Sequence, residues 1–340
     1  MRLARSILTL SVLLLGSAAP ALHARQADSG TSEVELPKGS FDEMLSKKVL
    51  SDSDKAEIRR TFDDWVKLLE SDSVEAVASA RVKLSEWAES SPTPVFRGEF
   101  SRIACGPLYD LVLRGQPIQA VNAIEVLRVI RTYEALQQLA KLASSATVTA
   151  TGARLAASRA LVASIDAGTD MNSAQADGLV RAITEATKRE SEWACSMSQL
   201  MALASVAKRS GMDAKVVAAA RNGQVSGLSA IATRVAKGDT KDAPLMKSAS
   251  RVLSAMRKDL ANAPAAERSV LAGTLVPVAE SLRKAAAAPP AGIDADVAAA
   301  YTETGKAADL MTELLKASGK PAAKPSGKPT AKPAPKKPAA

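Results

Sequence analysis

The sequence predicts an all-α fold, with antiparallel helix pairs stacked as a degenerate α-solenoid and an irregular helical bundle as the alternative. Three observations predict it. Apolar residues recur at spacings of three and four from Phe41 almost to the C-terminal tail. No segment alternates at period two over a useful length. The stretch Val121–Ile165 repeats itself at an offset of 34 residues, so that Ala123 falls on Ala157 and Leu127 on Leu161. Offsets of that size arise where helix pairs stack.

The chain opens with Arg2 and Arg5, an apolar run from Ile7 to Leu15, and small residues from Gly16 to Ala24. This is the layout of a secretory signal peptide over residues 1–24, cleaved near Ala24, and its apolar run is short for a membrane span. The mature protein is expected outside the cytoplasm, periplasmic or secreted, with no membrane span. Residues 25–50 read as a flexible leader, polar and without a helical stripe over their first part.

Residues 51–317 form the expected repeat-like domain. Ser51 to Asp54 offer N-cap oxygens to a helix carrying Ile58, Phe62, Trp65 and Leu69. Asp72 with Glu75 suggests the next cap, before Val77, Ala80, Leu84 and Trp87. Ser91-Pro92-Thr93-Pro94 breaks the chain, and Cys105-Gly106-Pro107 is expected to kink or restart the helix that follows. Gly115 and Pro117 separate one helix end from the next start. Later stripes are Ile124, Leu127, Ile130; Leu136, Leu139, Leu142; Leu179, Val180, Ile183; and Trp193, Met197, Leu200, Met201, all read as core. Asn222-Gly223 is expected to interrupt the next run, which resumes at Leu228. Leu245 to Leu260, Leu271 to Leu282 and Val297 to Leu315 complete the array.

Ala135-Leu136-Gln-Gln-Leu139-Ala-Lys-Leu142, followed by Arg154-Leu-Ala156-Ala157-Ser-Arg-Ala160-Leu161, resembles a repeat of the HEAT/armadillo type. Such a repeat pairs a leucine-rich helix with one whose small residues admit a neighbour. The likeness covers residues 121–165 and implies an interaction scaffold, with Glu125, Arg128, Gln137 and Lys141 among the exposed residues that would read a partner.

Charge and chemistry narrow the function. Removing the two signal-peptide arginines and the six tail lysines from 45 basic side chains leaves 37, against 36 acidic ones. The body is therefore close to neutral and the high pI belongs to the ends. The tail, residues 318–340, is rich in Lys, Pro and Ala, reads as disordered, and holds Lys320, Lys324, Lys328, Lys332, Lys336 and Lys337 with no acid. Those lysines are candidates for contact with a polyanion or an anionic envelope component, with a steep salt dependence. The tail resembles linker-histone tails in composition only, and no specific nucleic acid is implied.

His23 is the single histidine and lies in the signal peptide, so the mature chain lacks the commonest general base and transition-metal ligand. Phosphate-binding glycine motifs and CxxC pairs are absent. No cofactor, metal site or catalytic residue is expected. Cys105 and Cys195, in an oxidising compartment, are candidates for a disulfide, with two separate buried thiols as the other reading. The leading functional expectation is a non-enzymatic scaffold for unidentified protein partners. The alternatives are a polyanion-binding protein acting through its tail and a carboxylate-based hydrolase.

Overall fold

The computed structural model describes residues 43–90 and 92–318, and every regular element among them is helical. The first pair is α1 (Asp52–Leu69) and α2 (Val74–Glu89), and the second is α3 (Pro94–Arg114) and α4 (Pro117–Ile130). Next, α5 (Tyr133–Leu142) pairs with α6 (Thr151–Asp166), and α7 (Ser173–Arg189) with α8 (Trp193–Lys208). The path from α9 (Ala214–Val235) to α10 (Met246–Ala261) runs through a 3-10 turn at Ala243–Leu245, and α11 (Ala265–Ala286) with α12 (Ala295–Ser318) ends the array.

Helix starts follow local chemistry. Ser51 and Asp54 form a reciprocal capping box on α1, and Asn172 with Gln175 does the same on α7. Thr93 caps α3 ahead of Pro94, whose missing N–H costs nothing at a first helical position. The cap of α2 is Ser73, whose Oγ accepts from the Ala76 amide, whereas Asp72 accepts from Gln116 Nε2 at 2.9 Å. Neither Pro107 nor Asn222-Gly223 ends a helix. Pro107 is exposed and sits inside a continuous α3, so the helix does not restart there. Asn222-Gly223 lies inside a continuous α9 for a packing reason. A Cβ at Gly223 would run into Thr184 of α7, and one at Gly227 would lie 2.7 Å from Thr187 of α7 and from Leu200 of α8. The two glycines let α9 settle onto both helices.

The packing is that of a two-row solenoid. The odd-numbered helices α1, α3, α5, α7, α9 and α11 pack in sequence, as do the even-numbered helices α2 to α12. Each helix therefore meets only its neighbours, as in repeat arrays generally. Regularity fails at α9, which packs against α8 as closely as against α7 and touches α10 little. The even row is lined by small residues, including Ala123, Ala157, Ala202, Ala249 and Ala308, all fully buried. Close approach then brings side-chain donors to the neighbouring backbone. Gln119 Nε2 donates to Glu70 O at 2.8 Å, Ser164 Oγ to Arg128 O at 2.9 Å and Cys195 Sγ to Thr151 O at 3.8 Å. Ser248 Oγ donates to Trp193 O at 2.5 Å and Thr304 Oγ1 to Met246 O at 3.1 Å. Each of the four junctions from α4 to α12 has one such contact, and Gln119 of α4 reaches the turn between α1 and α2.

Residues 43–50, placed in the leader by the sequence reading, are packed instead. Met44, Leu45 and Leu50 are buried, and Thr93 bonds through its amide to Leu45 O and through its hydroxyl to Lys47 O. The apolar spacing that begins at Phe41 runs through this segment, and its buried residues continue that pattern. The signal peptide expected at residues 1–24 and the tail lysines lie outside the described residues.

One buried ion pair spans three helix pairs. Arg154 of α6 and Glu190, in the turn before α8, meet at 3.0 Å with side chains 6% and 0% exposed. Arg154 also donates to Val148 O and Thr149 O at 3.0 and 2.6 Å. Glu190 accepts the amides of Ser191 and Glu192, both at 3.0 Å, while its own carbonyl receives Arg234 of α9 at 2.7 Å. Arg234 in turn pairs with Asp242. Removing one member of such a pair strands a buried charge. Arg154→Met should cost about 3–5 kcal/mol in urea unfolding. The double change Arg154→Met, Glu190→Gln should cost clearly less than the sum of the two single changes.

Candidate functional site

Helix α8 is apolar on more sides than its packing uses. Cys195, Leu200, Leu203 and Val206 are fully buried, whereas Trp193, Met197 and Met201, spaced by four, lie half-buried along its solvent edge. The contacts of Cys195 with Thr151 and of Ser248 with Trp193 align the first turns of α6, α8 and α10. On one side of α8 lies α6, with half-buried Leu155 and exposed Arg159, and on the other Lys247 and Arg251 of α10 reach the stripe itself.

The α10 cations are held against the stripe. Arg251 Cζ lies 5.1 Å from the centre of the Trp193 ring and its Nη1 donates to Met197 Sδ at 3.6 Å; Lys247 Nζ lies 5.4 Å from the same ring. Cation–π contacts at such exposed positions are worth about 0.5–1 kcal/mol each, so the cluster adds little to folding. Lys247 is also paired with Asp296 of α12, and that bond holds the aspartate carboxyl below its usual range. Arg159 and Arg251 have no carboxylate partner among the described residues. The arrangement is an aromatic and thioether strip between cations, the side-chain types enriched at binding hot spots.

The candidate residues read from sequence are not brought together. Glu125 and Arg128 pair with each other at 2.7 Å on α4, in the even row. Gln137 and Lys141 lie on α5 in the odd row, where Gln137 donates to the Tyr133 hydroxyl and Lys141 sits 6.0 Å from the centre of the Tyr109 ring. The strip was missed because Trp193, Met197 and Met201 were counted as core. The available signal was the apolar surplus of α8, too wide to fit one buried face.

The disulfide expectation is corrected. Cys105 and Cys195 are both free and buried, on α3 and α8, which do not pack against each other. Cys105 Sγ meets Ser101 Oγ at 3.4 Å, and burial pushes its thiol up to about 12. Burial, with Glu190 adding to it, pushes Cys195 up to about 11.

Other concave or acidic regions have less to offer. Between α9 and α11 lies a concavity of about 320 Å³ walled by Val217, Ala218, Val270 and Leu271, with the Arg221–Glu267 pair at its edge. Each carboxyl group with a shifted pKa among the described residues (Asp54, Glu75, Glu99, Glu185, Asp239 and Asp296) is shifted down by cations, hydroxyls or amides. That is the reverse of what a general acid needs. Among the described residues no cluster of three His, Cys, Asp or Glu side chains could hold a metal ion, and no helix is long and apolar enough to cross a membrane.

No protein-family model matches the chain, and no curated protein matches it. Solved structures of designed proteins are similar. An engineered protein covers 75% of this chain and 98% of its own, at 17% identity and a TM-score of 0.41. A designed armadillo repeat protein covers 74% and 98%, at 16% identity and a TM-score of 0.35. Another, from computationally designed armadillo repeat proteins for modular peptide recognition, has the same coverage, identity and score.

Three outcomes are expected. At pH 8 without reductant, native protein should take no thiol alkylation and unfolded protein should take two labels by intact mass. Because the folded thiols keep their protons above the ordinary value of 9.0, stability is intact below pH 9 and should decline as pH rises beyond it. Separately, Arg251→Ala should leave the unfolding midpoint nearly unchanged, costing at most about 1 kcal/mol, while making Trp193 more accessible to acrylamide quenching.

Proposed function

We propose that the protein is a non-enzymatic docking scaffold of helical-repeat type, acting outside the cytoplasm. The even-row face centred on Trp193 receives a protein partner, and the cationic tail meets an anionic envelope component. The carrying observation is the solvent-edge strip Trp193–Met197–Met201, with Arg251 and Lys247 stacked on its tryptophan. Large side chains of this kind are retained at an unpacked edge at a cost in solubility, which a docking role offsets. The signal-peptide layout supports the location, and the six tail lysines without an acid support the envelope contact.

The polyanion-binding alternative rests on those same lysines and makes the helices a carrier. The two readings separate in affinity capture from an envelope fraction across a salt series. The scaffold reading expects Trp193→Ser, Met197→Ser, Met201→Ser to lose protein capture at least tenfold while retaining the circular dichroism of the parent. Deleting Gly319 to Ala340 should remove only the salt-sensitive retention. Loss of all capture with the tail, and none with the triple change, would overturn it.

A further inference from the structure

The chemistry of the even-row face also specifies what kind of segment it takes. Helix α8 contains no acidic residue; α6 has only Asp166 in its last turn, and α10 only Asp259, which is paired with Lys208. Across the middle of these three helices no surface side chain is therefore acidic, and the exposed Glu192 lies just before α8. Arg159, on the helix to one side of α8, is exposed and has no ion pair among the described residues, and Arg251 is on the helix to the other side. Arg251 is held in place by the Trp193 ring at 5.1 Å and the Met197 sulfur at 3.6 Å, neither of which neutralises it. A guanidinium ordered by a ring and a thioether keeps its donors for a carboxylate, and most of the ordering entropy is already spent.

We infer that this face binds an extended acidic segment of a partner protein, one that places an apolar side chain on Met197 and Met201 and a carboxylate on each of Arg159 and Arg251. The inference rests on the docking reading above and names its ligand class. The chain's own tail is a poor occupant, since its six lysines would face these arginines.

Geometry sets the spacing. Packed helices lie about 8–10 Å apart, so the axes of α6 and α10 are roughly 16–20 Å apart across α8. An extended chain advances about 3.3 Å per residue, so the two carboxylates should lie about five or six residues apart, around a central leucine or phenylalanine. Unlike a polyanion, such a segment needs both the charge pair and the apolar centre.

The test uses fluorescently labelled ten-residue peptides with a central Leu-Phe pair and flanking Glu, Gln or Lys at that spacing. Anisotropy titrations use the full chain, its Arg159→Glu, Arg251→Glu variant and its Trp193→Ser, Met197→Ser, Met201→Ser variant. The Glu peptide is expected to bind at least tenfold more tightly than the Gln peptide and not to bind the apolar-strip variant. The charge-reversed protein should prefer the Lys peptide instead, a gain that loss of folding cannot mimic. If Gln or Lys peptides bind the parent as well as the Glu peptide, and do so through Trp193, the acidic specificity is wrong and the docking face stands. If no peptide binding depends on the strip, the docking face itself is overturned.

Discussion

The buried Arg154–Glu190 pair is the constraint on which the middle of the array depends. A charge pair at 6% and 0% exposure is tolerable only with its remaining donors and acceptors satisfied. Here the satisfying groups belong to other elements: the carbonyls before α6, the amides opening α8, and Arg234 from α9. Meeting those demands fixes the 143–150 connection, the turn at 190–192 and the end of α9 relative to one another. The α6–α8 register follows from it, and so does the position of the Trp193 strip one turn away.

The two rows are held by different chemistry. Along the even row, small side chains allow close approach, and a side-chain donor meets the preceding unit's backbone at each junction from α4 to α12. The odd row begins with a bulkier contact, in which Phe100 meets Phe62 at 6.0 Å, while Trp87 of the even row reaches the same ring at 5.6 Å. Further along, its contacts include side-chain pairs such as Ser101 with Thr132 and Arg221 with Glu267.

Much of the architecture was legible in the sequence because it is local. Caps and apolar stripes placed most of the helices, and the 34-residue offset related α4 to α6, two neighbours of the even row. Ala123, Leu127, Ala157 and Leu161 are all fully buried, as that alignment requires. What could not be read depends on the register between helices. The partner of Arg154 lies 36 positions away, and no local rule selects Glu190 from the other acids. Gly223 looked like an interruption because its reason is the nearness of Thr184 and Leu203, not the conformation of its own backbone. The Trp193 strip was hidden in the same way: periodicity shows that a residue is apolar at helical spacing, but only the neighbouring helices decide whether that edge is covered.

The backbone-directed contacts of the even row have a mechanical consequence. A donor aimed at a carbonyl tolerates little sliding or separation before its angle and distance fail, whereas ring contacts and exposed ion pairs yield over a wider range. Bending of the array is therefore taken up by splaying of the odd row, with the even row as the pivot. An array hinged in this way can flex while the spacing between α6, α8 and α10 stays nearly constant.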